Sequence, residues 1–179
     1  MPPSRFLQKG YKARKYKENE DFKGMIRVLF VCHGNICRSP MAEFVLKDMV
    51  EKRNIAEQFF IASAATSTEE IGNPVHFGTR DKLRKYGISV EGKTAVQLKK
   101  SDYDTYDYLI GMEQRNINNI LGIVGNDPAG KVCKLLDYTN NPRDIADPWY
   151  TGNFDITYDN IAEGCEAFLT FCLQPFDEL

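Results

Sequence analysis

Four short β-rich runs, each followed by a loop and a helical stretch, restrict this chain more than any other feature. They are residues 26–31 (IRVLFV), 59–63 (FFIAS), 106–112 (YDYLIGM) and 131–136 (KVCKLL). Residues 40–50 read as a helix, with Pro40 early and Arg38 or Ser39 near its cap. Residues 79–86 read as a second helix that ends at Gly87, a residue type favoured just past a helix. A third helix follows the third strand as far as about Ile120. A last one runs from Tyr158 to about Leu173, after a polar loop at 137–156. Parallel neighbours need a crossover connection, and a helix supplies it, so the alternation predicts parallel βαβ units. In such sheets ligands collect beyond the carboxyl ends of the strands.

The chain's 179 residues suit one domain with a core that needs no disulfide or structural metal. Mean hydropathy is −0.42, and no run approaches the roughly 18 apolar residues of a membrane span. The N-terminus carries charge but no apolar stretch of the kind a secretory signal needs. Residues 1–24 are basic and lack apolar periodicity, which predicts a disordered tail ahead of a domain at 25–179; Met25 looks like a natural start. That tail holds seven Lys/Arg and three Asp/Glu, so 16 basic and 22 acidic residues remain in the body, a balance of −6. Nucleic-acid binding is therefore not expected, and an anion site in the body must come from local geometry.

The five cysteines, Cys32, Cys37, Cys133, Cys165 and Cys172, are odd in number and form no CxxC. Reduced thiols in the cytoplasm are the expectation. With only His33 and His76 as histidines, no Cys/His cluster of zinc type is present.

Chemistry concentrates in residues 31–40, VCHGNICRSP. The segment joins a buried strand to a helix N-terminus, where unpaired N–H groups and the positive end of the helix dipole meet. Gly34 and Asn35 tolerate left-handed backbone angles, so successive N–H groups could turn inward as a nest. Cys32 opens the loop. N–H groups, the dipole, Arg38 and a Ser39 hydroxyl would each favour its thiolate and bring its pKa well below about 8.5. Arg38 could bind two phosphoryl oxygens at once. A bare Cys-x5-Arg is common, and a lone cysteine after a strand is usually core. Here Cys, Gly, Asn, Arg and Ser all fall in one strand-to-helix turn, each with a distinct use.

The string CHGNICRSP, Cys32 to Pro40, resembles the active-site loop of low molecular weight protein tyrosine phosphatases. The resemblance spans most of 25–173 and leaves 1–24 outside. Residues 63–67 (SAATS), 106–110 (YDYLI) and 147–150 (DPWY) resemble the family's segment after the second strand, its third strand and its acid loop. The implied fold is a single three-layer α/β domain of flavodoxin-like type. It has a doubly wound, four-stranded parallel sheet with helices on both faces. The implied reaction is hydrolysis of phosphotyrosine in proteins through a cysteinyl phosphate, without metal or other cofactor and without a membrane partner. Inorganic phosphate would be product and inhibitor. By the resemblance Cys32 is nucleophile, Arg38 holds the phosphoryl group, and Asp147 protonates the leaving phenolate and then activates water. His33, Gly34, Asn35, Ile36, Cys37 and Ser39 complete the phosphate loop. Trp149 and Tyr150 wall the substrate ring, Asn35 and Ser63 brace the loop, and Cys37 can trap oxidised Cys32 as a disulfide.

Some positions depart from the family pattern. Residues 68–71 (TEEI) stand where an aromatic often lines the pocket mouth, which predicts an acidic rim. Tyr86 replaces a histidine, placing part of the bracing network in question. The side chains of His33 and His76 are expected to have no catalytic role. Two other activities remain open on this scaffold. A protein-arginine phosphatase resembles this loop but carries threonine where Ile36 stands. A thiol-coupled arsenate reductase needs relay cysteines, and Cys165 and Cys172 would sit about 10 Å apart along one helix. A phosphate-sensing adaptor would need neither Cys32 nor Asp147.

Overall fold

The computed structural model describes residues 24–174. All of the expected tail except Gly24 therefore lies outside the described residues. The four strands are β1 (Ile26–Cys32), β2 (Phe59–Ala65), β3 (Tyr108–Gly111) and β4 (Val132–Lys134). They form one sheet in the order β2-β1-β3-β4, every pairing parallel. The doubly wound, parallel α/β expectation holds.

Helices α1 (Arg38–Lys52), α2 (Phe77–Arg84), α3 (Asp102–Thr105), α4 (Gln114–Val124), α5 (Pro148–Thr151) and α6 (Phe154–Leu173) connect and cover the strands. Residues of β1 alternate between two cores. Val28, Phe30 and Cys32 face a cluster with Met41, Leu46, Leu83, Phe168 and Leu169 from α1, α2 and α6. Leu29 and Val31 face a second cluster with Ala64, Leu109, Ile120 and Val124, covered by α4. Burial on both faces is why the run reads as continuously apolar instead of alternating. Each fully buried large side chain, such as Phe30 or Phe168, contributes about 1.5–3 kcal/mol.

Several boundaries differ from the sequence reading. The first helix begins at Arg38, with Cys37 as N-cap and no side-chain cap, so neither Ser39 nor Arg38 is the cap. The second starts at Phe77, where the His76 ring accepts a hydrogen bond from Gly78 N. It gives way after Arg84 to a turn in which Gly87 takes a φ of 72°. β3 is shorter than 106–112, because Asp107 turns its carboxylate to Arg27 N ahead of the strand. β4 stops at Lys134, where residues 135–138 wind into a 3₁₀ turn whose Asp137 accepts from Lys134 N. The third helix extends past Ile120 to Val124. The last starts four residues early, because Asn153 caps it by accepting from Ile156 N. The loop at 137–156 is not wholly irregular, since it contains α5. Order reversal of the sheet falls between β1 and β3, and the loops after both strands open there.

Candidate active site

The sequence after β1 builds the site from the backbone up. Asn35 takes a φ of 57°, one of two non-glycine residues among those described to do so. Its own N–H then points back at Cys32 Sγ, 3.3 Å away. Gly34, read as a second left-handed position, does not adopt that conformation. A Cβ there would lie 3.4 Å from Glu70 Cγ, an ordinary contact, so neither strain nor crowding requires glycine. No side chain caps α1, which leaves its first N–H groups directed into the loop.

A buried chain of hydrogen bonds has a direction that the chemistry dictates. Val96 N donates to Asn35 Oδ1 at 3.1 Å, which orients that amide. Its Nδ2 therefore donates to both Ser39 Oγ (2.7 Å) and Ser63 Oγ (2.9 Å). Ser63 in turn donates to Glu43 Oε1 at 2.6 Å. Ser39 has an acceptor role toward Asn35, so its hydroxyl proton is free to donate to Cys32 Sγ at 3.0 Å. The Ser39 hydroxyl and the Asn35 N–H thus both converge on Cys32 Sγ.

Asn35 and Ser63 thus join the bracing network, and Tyr86 does not. Tyr86 instead stacks on Tyr158 at 4.3 Å, with Lys82 over both rings. At the far end of the chain, Lys93 Nζ donates to Ser63 O at 3.0 Å and lies 3.7 Å from Glu43 Oε1. Burial holds the Lys93 ammonium below its ordinary pKa, against the pull of Glu43. Lys47 also pairs with Glu43.

Arg38 is among the largest fully buried side chains of the molecule. Its NH1 donates to Glu113 Oε2 and to Ile145 O, each at 2.8 Å. Its NH2 reaches Asp147 Oδ2 at 3.2 Å. A guanidinium desolvated to this extent is tolerable only when its donors are met. Glu113, two residues beyond β3, supplies the charge. Sequence reasoning missed Glu113, Glu43 and Lys93. Only the position of Glu113 at a strand's carboxyl end could have pointed to it. We expect Arg38→Lys to be nearly as damaging as Arg38→Ala, because an ammonium cannot reach Glu113 and Ile145 while holding two phosphoryl oxygens. Comparing kcat/KM of the two variants checks this. A lysine variant with most of the parent activity would show that charge alone suffices.

Asp147 caps α5. Its Oδ1 accepts from Trp149 N at 3.0 Å, and Pro148 occupies the first helical position, where a missing N–H costs nothing. Trp149 and Tyr150 are 56% and 79% exposed, so their rings have area free for a partner. Cys32, His33, Gly34, Ile36, Cys37, Arg38, Glu69, Glu70, Asp147, Trp149 and Tyr150 line one cleft of about 110 Å³. A larger hollow of about 590 Å³, bounded by Arg80, Arg84, Glu91 and Lys93, is lined by none of Cys32, Arg38 and Asp147.

Cys37 is buried, and its thiol is pushed up to about 12 by that burial first and by the neighbouring Cys32 second. It therefore stays protonated at neutral pH, and a trapping disulfide would have to form from a poor nucleophile. Cys165 and Cys172 both lie on α6, as expected, and burial raises both thiols. Cys165 is fully buried and directs its sulfur to Ala42 O. Among the described residues no two cysteines are joined by a disulfide.

Comparison with known proteins agrees with this geometry. Residues 27–175 match the family model described as low molecular weight phosphotyrosine protein phosphatase. The chain is 42% identical over 147 residues to the low molecular weight protein-tyrosine-phosphatase YfkJ of Bacillus subtilis, covering 81% of this chain and 94% of that protein. The crystal structure of YfkJ superposes with a TM-score of 0.79 over 83% of this chain and 94% of the other. PtpA of Staphylococcus haemolyticus is 38% identical over 151 residues, covering 84% and 96%. A Drosophila arginine phosphatase structure matches at 28% identity and a TM-score of 0.76, covering 83% and 99%. With the family model matching residues 27–175 and relatives at this identity, the chain belongs to the low molecular weight protein-tyrosine-phosphatase family.

Proposed function

We propose that this protein hydrolyses phosphotyrosine in proteins through a cysteinyl-phosphate intermediate and works in a reducing compartment, the cytoplasm. One observation carries the reading: a single small cleft brings together a hydrogen-bonded cysteine sulfur, a buried guanidinium and a carboxylate. The phosphoryl dianion enters the loop and takes N–H groups and the Arg38 fork. Cys32 attacks phosphorus, the S–P bond forms and the P–O bond to the phenol breaks. Asp147 gives its proton to the departing oxygen. The incoming dianion takes over the Arg38 NH2 donor that the carboxylate otherwise holds. Asp147 then takes a proton from water as the water oxygen attacks phosphorus. The S–P bond breaks, and inorganic phosphate and the Cys32 thiolate result. Phosphate, being product, competes for the same loop.

Two features favour phosphotyrosine over phosphoarginine. Trp149 and Tyr150 offer flat aromatic walls, and Ile36 presents only hydrocarbon to the cleft, packed with Cys37 and Ala95. The test assays phosphotyrosine peptide, phosphoarginine peptide and arsenate side by side. Phosphotyrosine should exceed the others by at least tenfold in kcat/KM, and the opposite order would reverse the assignment.

The rim narrows the substrate further. Glu69 is exposed and approaches His33 Nε2 at 3.3 Å, and Glu70 bonds Asn73. Among the described residues that line the cleft, the one lysine or arginine is the buried Arg38. Phosphotyrosine flanked by basic residues should therefore be favoured over acid-flanked peptide, by several-fold in kcat/KM at low salt. Glu69→Lys with Glu70→Lys should reverse the order. An unchanged preference in that double variant would exclude the rim as the selector.

A further inference from the structure

His76, which sequence reading leaves without a role, touches both halves of the site. Its backbone N donates to Ile36 O at 2.9 Å, pinning the start of α2 to the phosphate loop. Three residues on, Thr79 Oγ1 donates to Cys37 O at 3.0 Å and makes the attachment double. The imidazole faces the other way. It stacks on Phe77 at 4.3 Å and on Phe154 at 5.3 Å, nearly parallel to the latter at 9°. Its edge meets Trp149 at 5.6 Å and 72°. Gly78 permits the stack, because a Cβ there would lie 2.3 Å from the Phe154 ring.

Trp149 in turn bears on the reacting carboxylate. Its backbone N–H donates to Asp147 Oδ1, so a shift of the Trp149 segment moves the carboxylate whose Oδ2 Arg38 holds. Trp149 is more than half exposed, and α5 is only four residues long, with Pro148 its one buried residue. So short a helix has little stability of its own. The aromatic stack around His76 is a physical restraint from the phosphate loop to this segment. Its Nδ1 is occupied as acceptor for Gly78 N at 3.0 Å, which fixes the ring's rotation.

We propose that His76 is a positioning residue for acid catalysis: its ring, anchored to the phosphate loop, holds Trp149 and through it aims Asp147 at the leaving-group oxygen. This rests on the reading of Asp147 as the acid. The consequence is selective. Formation of the cysteinyl phosphate from a basic phenol needs an aimed proton, whereas a strongly electron-withdrawing phenol departs without one.

Two substitutions separate the ring from the cap. His76→Asn keeps a good cap acceptor and removes the ring; His76→Phe keeps a ring and removes the acceptor. Burst-phase rates are measured with an aryl phosphate of leaving-group pKa near 10 and with an activated one, beside Asp147→Asn. Trp149 is the only tryptophan of the chain, so its fluorescence anisotropy and acrylamide quenching report the contact without catalysis. The asparagine variant should lose roughly tenfold with the basic leaving group and under twofold with the activated one, and its tryptophan should become more mobile and more quenchable. The phenylalanine variant should recover most of the lost rate and the low mobility. Equal losses on both substrates in His76→Asn, or unchanged tryptophan mobility, overturn the proposal. If Asp147→Asn shows leaving-group dependence and His76→Asn does not, only this proposal fails. If Asp147→Asn shows none, the acid assignment fails and this proposal fails with it.

Discussion

Cys32→Ser abolishes turnover, by at least about 10³-fold, while inorganic phosphate continues to bind. The exchange replaces Sγ by Oγ at a site that is 3% exposed and fully packed, so the fold and the loop are expected to persist. The Asn35 N–H, the Ser39 hydroxyl and the α1 N-terminus all remain in place. None of them brings a serine hydroxyl to its anion at neutral pH, because that proton is far more tightly held than a thiol's. The phosphate cradle loses nothing that binds the dianion. Affinity for phosphate should therefore be at least retained. Titration of the variant with phosphate by calorimetry, together with a stopped-flow search for a burst, checks both halves. Activity within tenfold of the parent would remove Cys32 as nucleophile. Lost phosphate binding would show that the sulfur is part of the cradle.

Asp147→Asn should depress formation of the cysteinyl phosphate about 10²–10⁴-fold for a phenyl phosphate whose leaving group has a pKa near 10. For an activated aryl phosphate the loss in the same step should be much smaller. Asparagine can still cap α5 by accepting from Trp149 N with its one oxygen, while its amide NH2, a donor, then replaces the acceptor Oδ2 that Arg38 NH2 meets. What it cannot do is donate a carboxylic proton. The burst must be followed, because on the proposed mechanism hydrolysis of the shared intermediate also uses Asp147, and a steady state limited by that step would hide the leaving-group dependence. Equal burst losses across the two substrates would make Asp147 a structural cap and leave the acid unassigned.

The parallel sheet was legible because β1 and β2 are continuous apolar runs and because each run is followed by a helix-length stretch. Ends of elements were less legible. They were decided by individual polar groups: Asp107 on Arg27 N, Asp137 on Lys134 N, Asn153 on Ile156 N. Such side chains look like ordinary loop residues until their partners are known.

The reactive loop could be read from residues 32–40 alone, since a nest, a helix N-terminus, a cysteine and an arginine are all local in sequence. Local sequence offers both Gly34 and Asn35 for the left-handed turn; Asn35 takes it, with its amide tied to Val96 N across 61 residues. Tertiary structure decided what surrounds that loop. Glu113 reaches Arg38 from 75 residues away, Asp147 from 109, and Glu43 and Lys93 close the chain behind Ser63. Sequence determines which groups are chemically able to act; the direction of their protons and the aim of their oxygens depend on contacts between segments that no local pattern encodes. His76 shows this most plainly: in sequence it is a loop histidine, and only the packing of Phe77, Phe154 and Trp149 around it gives its ring a place.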